Sequence, residues 1–133
     1  MKALSSKITK GLVPSSTITC ADNSGAHTLM LIGVIGRSSA RKGRMPRAGV
    51  GDIIIASVKS GTPQMIKKKV RAVIIRQKQT IRRANGLRVR FEDNAGVIVT
   101  DADLAVGTEI KGAMAREVVE RYIKLAGIAS RVI

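Results

Sequence analysis

Apolar positions in this chain fall into short blocks separated by glycine, proline and charged residues. Residues 28–36 (TLMLIGVIG) form a continuous apolar run of strand length, suited to a strand buried on both sides or closing a barrel. Residues 51–60 (GDIIIASVKS) are β-branched and begin at a glycine, and residues 70–77 (VRAVIIRQ) repeat the pattern. Asn85-Gly86 favours the left-handed backbone of a tight hairpin turn. Beyond it Leu87, Val89 and Phe91 alternate with Arg88 and Arg90, so a strand of period two buries the first set and exposes both arginines. Residues 96–100 (GVIVT) predict a further short strand. Short strands at close spacing, broken by Gly and Pro, indicate a mainly β protein built as a small barrel or sandwich.

The tail has a different period. Ala115, Val118, Val119, Tyr122 and Ala126 fall on one helical stripe, and Gly127 offers a C-terminal stop. The spacing predicts one amphipathic helix near 113–126 whose apolar face packs onto the chain's own core. No linker or internal repeat divides the chain. Residues 1–133 therefore read as a single domain, with a β core over about 16–100 and a C-terminal helical segment over about 107–133.

Charge sharpens this picture. Lys and Arg total 24 against 9 Asp and Glu, a formal net charge of +15 on 133 residues. Residues 1–91 hold 19 basic and 2 acidic side chains, while residues 92–133 hold 5 and 7. Such density repels itself unless a polyanion lies against it, and solubility alone needs far less charge and mixed signs. A nucleic-acid partner explains it best. An anionic membrane is the weaker reading, because no basic amphipathic helix is present and the longest uncharged run, 23–36, is too short to span a bilayer. Residues 1–10 carry lysines with no following apolar block of signal-peptide type, so the expectation is a soluble, cytoplasmic protein. With one Phe, one Tyr and no Trp, the chain is poor in the platforms that stack unpaired bases, so it should hold phosphates and folded shape. Residues 38–48 (SSARKGRMPRA) read as a mobile cationic loop that orders on phosphates.

Catalytic chemistry is sparse. His27 is the only histidine and Cys20 the only cysteine, which argues against a metal cage or a disulfide framework. Cys20, Asp22, Ser24 and His27 are close in sequence, but consecutive residues on a strand and turn rarely converge as a nucleophilic triad must, so 22–25 reads as turn chemistry. Asp101 and Asp103 lack the glycine and terminal Glu of a calcium loop and read as a polar turn. Gly49 and Gly51 begin a dinucleotide-like string whose third glycine is missing at Ile54. The expectation is no cofactor, no metal, no small-molecule substrate and no enzymatic activity. A DNA-binding architectural protein shares the same charge requirement and stays open at this point.

A resemblance goes further. Ala72-Val73-Ile74-Ile75, the spacing to Asn85-Gly86, then Phe91, Asn94 and Val97-Ile98 resemble the signature of the universal large-subunit ribosomal protein fourteen family. Ile18 to Asn23 with Gly25-Ala26, the 49–60 segment, Gly107-Thr108-Glu109 and Ala115-Arg116-Glu117 match as well, so the likeness covers nearly the whole chain. The extended N-terminus and the Gly61-Thr62-Pro63 insertion resemble the archaeal and eukaryotic branch, and the simple tails point to archaea. Ala113-Met114 departs from the family, which usually shows a proline after the glycine.

The resemblance implies a closed five-stranded β-barrel with a projecting β-hairpin and a C-terminal helical segment. It also implies a structural constituent of the ribosome that binds large-subunit rRNA and meets small-subunit rRNA across the interface. Its implied neighbours are ribosomal proteins three and twenty-four e, with a docking surface for the anti-association factor six. The basic residues expected at rRNA are Arg37, Arg41, Lys42, Arg44, Arg47, Lys59, Lys67, Lys68, Lys69, Arg71, Arg76, Lys78, Arg82, Arg83, Arg88 and Arg90. The near-neutral tail should contact protein instead, through Arg116, Glu117, Glu120, Arg121 and Lys124.

Overall fold

The computed structural model describes residues 4–36 and 45–133. In chain order the elements are β1 (Lys7–Ile8), β2 (Thr17–Cys20), β3 (Ala26–Val34), β4 (Ile53–Gly61), β5 (Lys69–Arg76), β6 (Ile81–Arg82), β7 (Arg88–Val89), β8 (Ala95–Val99), β9 (Ile110–Met114), α1 (Arg116–Arg121), α2 (Ile123–Ala126) and β10 (Ala129–Val132). Strands β2-β3-β4-β5-β8 close into a barrel. Of the barrel and sandwich that the strand pattern leaves open, the barrel is what forms, and it has the strand number that the resemblance implies. The expected strands at 28–36, 51–60, 70–77 and 96–100 are β3, β4, β5 and β8, with ends shifted by one or two residues.

Closure rests on β2, which pairs antiparallel with β3 and parallel with β8 through Thr19↔Ala95 and Cys20↔Gly96. A tight barrel needs sharply bent strands, and bulges supply the bends. They fall in the β3–β4 pairing between Leu31 and Gly33 and in β5–β8 between Ile74 and Arg76. Asp22 fastens the closing seam. Its Oδ2 accepts from the Ile98 N–H at 2.9 Å, and its Oδ1 accepts from the Ser24 N–H at 3.1 Å. The Cys20 thiol donates to the same carboxylate at 3.0 Å. Residues 22–25 are thus the expected turn, and the buried thiol is pushed up to about 12, first by burial and then by its bond to Asp22, which leaves it inert at neutral pH.

Leu29, Leu31, Ile54, Ala56, Val58, Ala72, Ile74 and Val97 are buried in the core. Every residue of β8 is buried, and the C-terminal segment, which packs beside β5 through the Ala115 N–H to Ile75 carbonyl bond, has Ile110, Met114, Val118 and Leu125 fully covered. This segment departs from the single helix expected over 113–126. Ala113 and Met114 belong to β9 and pair in parallel with Arg131 and Val132 of β10. Tyr122, at φ −129° and ψ 79°, separates α1 from α2. Its hydroxyl donates to the Gly51 carbonyl at 3.1 Å, and Arg121 donates to the same oxygen at 3.2 Å. Pairing across the chain thus overrides the local helical period. Gly127 caps α2 in the right-handed region, so it does not end the helix by a left-handed turn.

A second small sheet stands beside the barrel in the order β1-β6-β7. The expected hairpin is its β6–β7 half, but the loop at 84–86 is longer than a two-residue turn. The Gly86 N–H donates to the Arg83 carbonyl at 3.0 Å and the Arg83 N–H to the Leu87 carbonyl at 2.9 Å. Gly86 takes φ 87° and Asn85 keeps a negative φ, the pattern of a turn closed by a left-handed glycine. The strand begins only at Arg88, so Leu87 is exposed and not buried as the alternation predicts.

One close approach is set by backbone. Gly61 has φ 151°, and a Cβ there would land on the Gly25 carbonyl oxygen, which accepts from the Thr62 N–H at 2.9 Å. Gly61→Ala should therefore lower stability by about 2–5 kcal/mol, combining overpacking of about 1–3 with a similar backbone strain. Gly33→Ala, where nothing lies within 4 Å of the added atom, should stay within about 0.5 kcal/mol. Urea midpoints of the two variants check the pair.

Candidate nucleic-acid interface

The expected cationic positions divide into two populations. Arg47, Lys59, Lys67, Lys68, Lys69, Lys78, Arg82, Arg88 and Arg90 are exposed. Lys67 to Lys69 lie at the β4–β5 connection, where the Lys67 N–H donates to the Val58 carbonyl at 2.9 Å, and Lys59 lies two residues before the end of β4. This brings four cations to one end of the barrel. Arg82 and Arg88 face each other on the hairpin. Lys78 borders a shallow cleft lined by Thr17, Thr19, Thr28, Asn94 and the carboxylate of Asp93. Arg37, Arg41, Lys42 and Arg44, with most of the expected 38–48 loop, lie outside the described residues.

The other population, Arg71, Arg76 and Arg83 of the expected rRNA set, is turned inward onto carboxylates of the chain. Arg83 is buried, with Nε donating to Glu117 Oε1 at 2.9 Å and Nη2 to Oε2 at 3.3 Å, while Nη2 also reaches the Ile133 carbonyl. Arg76 forks onto Asp93 at 2.6 and 3.1 Å and donates to the carbonyls of Lys111 and Ala113. Arg71 lies between Asp101 at 3.4 Å and Asp103 at 3.1 Å, so the polar turn at 101–103 holds an arginine of β5. These are braces between elements far apart in sequence.

The same division applies to the tail. Glu117, expected at a protein contact, is 1% exposed and lies in the core. Ser6 also donates to it at 2.8 Å, so this one carboxylate joins the N-terminal segment, the hairpin and α1. Burial pushes Glu117 up, but the bonds from Arg83, its own N–H and Ser6 outweigh burial and hold it below the ordinary carboxylate range. Arg76 likewise holds Asp93 low, against a smaller opposing effect of burial. Arg121 is turned in toward Gly51 and Asp52. Arg116, Glu120 and Lys124 remain at the surface, the first two 3.7 Å apart as an i,i+4 pair.

Among the described residues no group of three or more His, Cys, Asp and Glu side chains could hold a metal ion, and no helix is long and apolar enough to cross a membrane. One cationic cleft escapes sequence reasoning. Lys7, Thr9, Thr80, Arg82 and Arg88 line it, and the pairing of β1 with β6 that builds it leaves no local signature.

Fold and surface together define a class: a small closed β-barrel protein with arginine braces inside and unneutralised cations outside. Comparison with known proteins narrows the class. A family model described as ribosomal protein L14p/L23e matches residues 11–133, and the chain belongs to that family of ribosomal structural proteins, which are not enzymes. It is 50% identical to the large ribosomal subunit protein uL14 of Halorubrum lacusprofundi over 133 residues, 100% of both chains. The same identity and coverage hold for uL14 of Methanoregula boonei. For uL14 of Haloarcula marismortui the identity is 48%, again over 100% of both chains. The resemblance read from the motifs, including its archaeal leaning, is borne out.

The Arg83–Glu117 brace has a measurable sign. A carboxylate held below its unfolded value contributes stability that is full above that value and fades as pH falls through the folded one. Acid unfolding of the chain should therefore steepen below about pH 4.3, the ordinary Glu value, and Glu117→Gln should flatten the slope in that window. Arg83→Ala should lower stability at neutral pH by about 3–5 kcal/mol, because it strands a buried charge. Circular dichroism melts across pH 2–7 compare the three proteins.

Proposed function

We propose that this chain works as a single domain over 1–133, as a structural constituent of the large ribosomal subunit in the cytoplasm that binds large-subunit rRNA. One observation carries the reading. Seven of the nine carboxylates are engaged with an internal partner, and among the described residues none is paired with the exposed lysines and arginines at the barrel end and on the hairpin. Their role is to neutralise backbone phosphates where RNA helices pack closely. The exposed members of the expected set supply these contacts: Arg47, Lys59, Lys67, Lys68, Lys69, Lys78, Arg82, Arg88 and Arg90. Arg71, Arg76 and Arg83 act behind them by fixing the elements that carry them.

Family membership extends the proposal. Part of the cationic surface meets small-subunit rRNA as an intersubunit bridge. The near-neutral tail faces protein, with ribosomal proteins three and twenty-four e as neighbours and the anti-association factor six docking on Arg116, Glu120 and Lys124. Ile123, 76% exposed between α1 and Lys124, gives that surface an apolar contact.

If roughly 6–10 phosphates are neutralised, affinity for large-subunit rRNA fragments should fall by about 10³–10⁵ between 50 and 200 mM salt, by analogy with duplex DNA. Fluorescence anisotropy measures it. A nearly flat response defeats the proposal, and so does a preference for duplex DNA over folded rRNA. Cross-links placed at Lys124 in assembled particles should go mainly to protein.

A further inference from the structure

The register of the small sheet places three cations in one row. Lys7 pairs with Arg82, and Arg82 pairs with Arg88, so the three side chains share a face across β1, β6 and β7. The opposite row is Ile8, Ile81 and Val89, with Ile81 fully buried against the barrel. Burial of the apolar row fixes which face the cations take, because a one-residue slip would exchange the two. Neighbouring side chains in such a row stand about 4.5–5.5 Å apart, and like charges directly opposite one another destabilise a sheet. All three are exposed, and none makes an ion pair or side-chain hydrogen bond among the described residues. The cleft over this face, about 240 Å³, is lined by the same three residues with Thr9 and Thr80, and no carboxylate borders it.

From this row we infer that the β1-β6-β7 face is a discrete seat for backbone phosphate of folded RNA. Lys7, Arg82 and Arg88 supply the charge, and the hydroxyls of Thr9 and Thr80 are the rim donors. The inference rests on the rRNA-binding reading above and adds a place and a composition to it. Lys7 and Thr9 precede residue 11, where the match to the family model begins. An acidic protein segment also carries negative charge, but a row three strands wide spans roughly 10 Å, a flat cationic face suited to phosphates arrayed along a backbone. No aromatic side chain lines the cleft to stack an unpaired base, which favours folded RNA over single strands.

The test uses the full chain and a short mixed-sequence RNA duplex. Lys7→Gln/Arg82→Gln/Arg88→Gln keeps an unbranched polar side chain and removes the charge. Lys111→Gln/Arg131→Gln removes charge outside the proposed RNA surface and serves as the control. The triple variant should bind the duplex more than about tenfold more weakly at low salt, and the slope of log affinity against log salt should shrink by about 2–3. The control should lose much less per charge removed. The triple variant should also melt higher than the unaltered chain in low salt without RNA, since the facing charges repel. Nuclear magnetic resonance of the unaltered chain should show Lys7, Thr9, Thr80, Arg82 and Arg88 shifting on RNA addition. If the chain binds RNA and the triple variant behaves like the control, the seat is overturned while the broader reading stands. If the chain does not bind RNA at all, both fall. Tighter binding of a poly-glutamate peptide than of RNA at the same cleft overturns the seat in favour of an acidic protein partner.

Discussion

The constraint on which this structure depends is a shortage of carboxylates. With 24 basic and 9 acidic residues, most cations cannot be neutralised within the chain, and the fold determines which ones are. Asp22 fastens the barrel seam, Asp52 pairs with Lys10 at 3.0 Å, Asp93 holds Arg76, Asp101 and Asp103 hold Arg71, and Glu117 holds Arg83. Each bond lies where two elements distant in sequence must stay together. A buried ion pair adds little net stability over an apolar pair of equal volume, but its geometry is specific. These acids therefore fix the arrangement of the parts and leave little negative charge for the exterior.

From that allocation the outer surface follows. Closing the barrel removes exposed sheet edges, so its outside presents side chains more than open backbone. The excess cations collect at the β4–β5 end and on the hairpin sheet, and the acid-richer tail packs beside β5. One side carries the unneutralised cations and another is near-neutral. That both surfaces exist on so small a body is a consequence of the uneven charge along the chain. The barrel strands come mostly from the basic two-thirds, and the segment that covers them comes from the rest.

How much of this is legible in the sequence depends on how local each determinant is. Strands β3, β4, β5 and β8 announce themselves because their apolar residues are contiguous. The Asn85-Gly86 turn is legible because one residue must take a positive φ, although only Gly86 takes it. The pairs β1–β6 and β9–β10 are not legible, since strands of two to five residues carry no usable period and their partners lie tens of residues away. The tail misleads for a related reason. Its helical stripe does face the core, yet the pairing of Ala113 and Met114 with β10 and the Tyr122 bond to Gly51 break it into a strand and two short helices. Arg83 and Arg88 show the same limit for the site. In sequence they are equivalent members of one basic run, but Arg83 finds Glu117, 34 positions on, and Arg88 finds only other cations.

That difference shows why charge composition alone cannot assign a contact surface. A count of basic residues gives the sign of the partner, whereas the register of β1, β6 and β7 determines which cations stay unneutralised. Ile8, Ile81 and Val89 must turn inward because the barrel offers them apolar cover, and their neighbours on the chain must then turn outward whatever their charge. A cationic row that is unfavourable in the isolated protein is thus held in place by hydrophobic burial on the other face of the same strands. Arg83 continues the alternation inward and is tolerated there only because Glu117 meets it. The hairpin is in this way anchored by one arginine and charged by two of its neighbours, so its position on the body and its attraction for an anion are set by the same two-residue period.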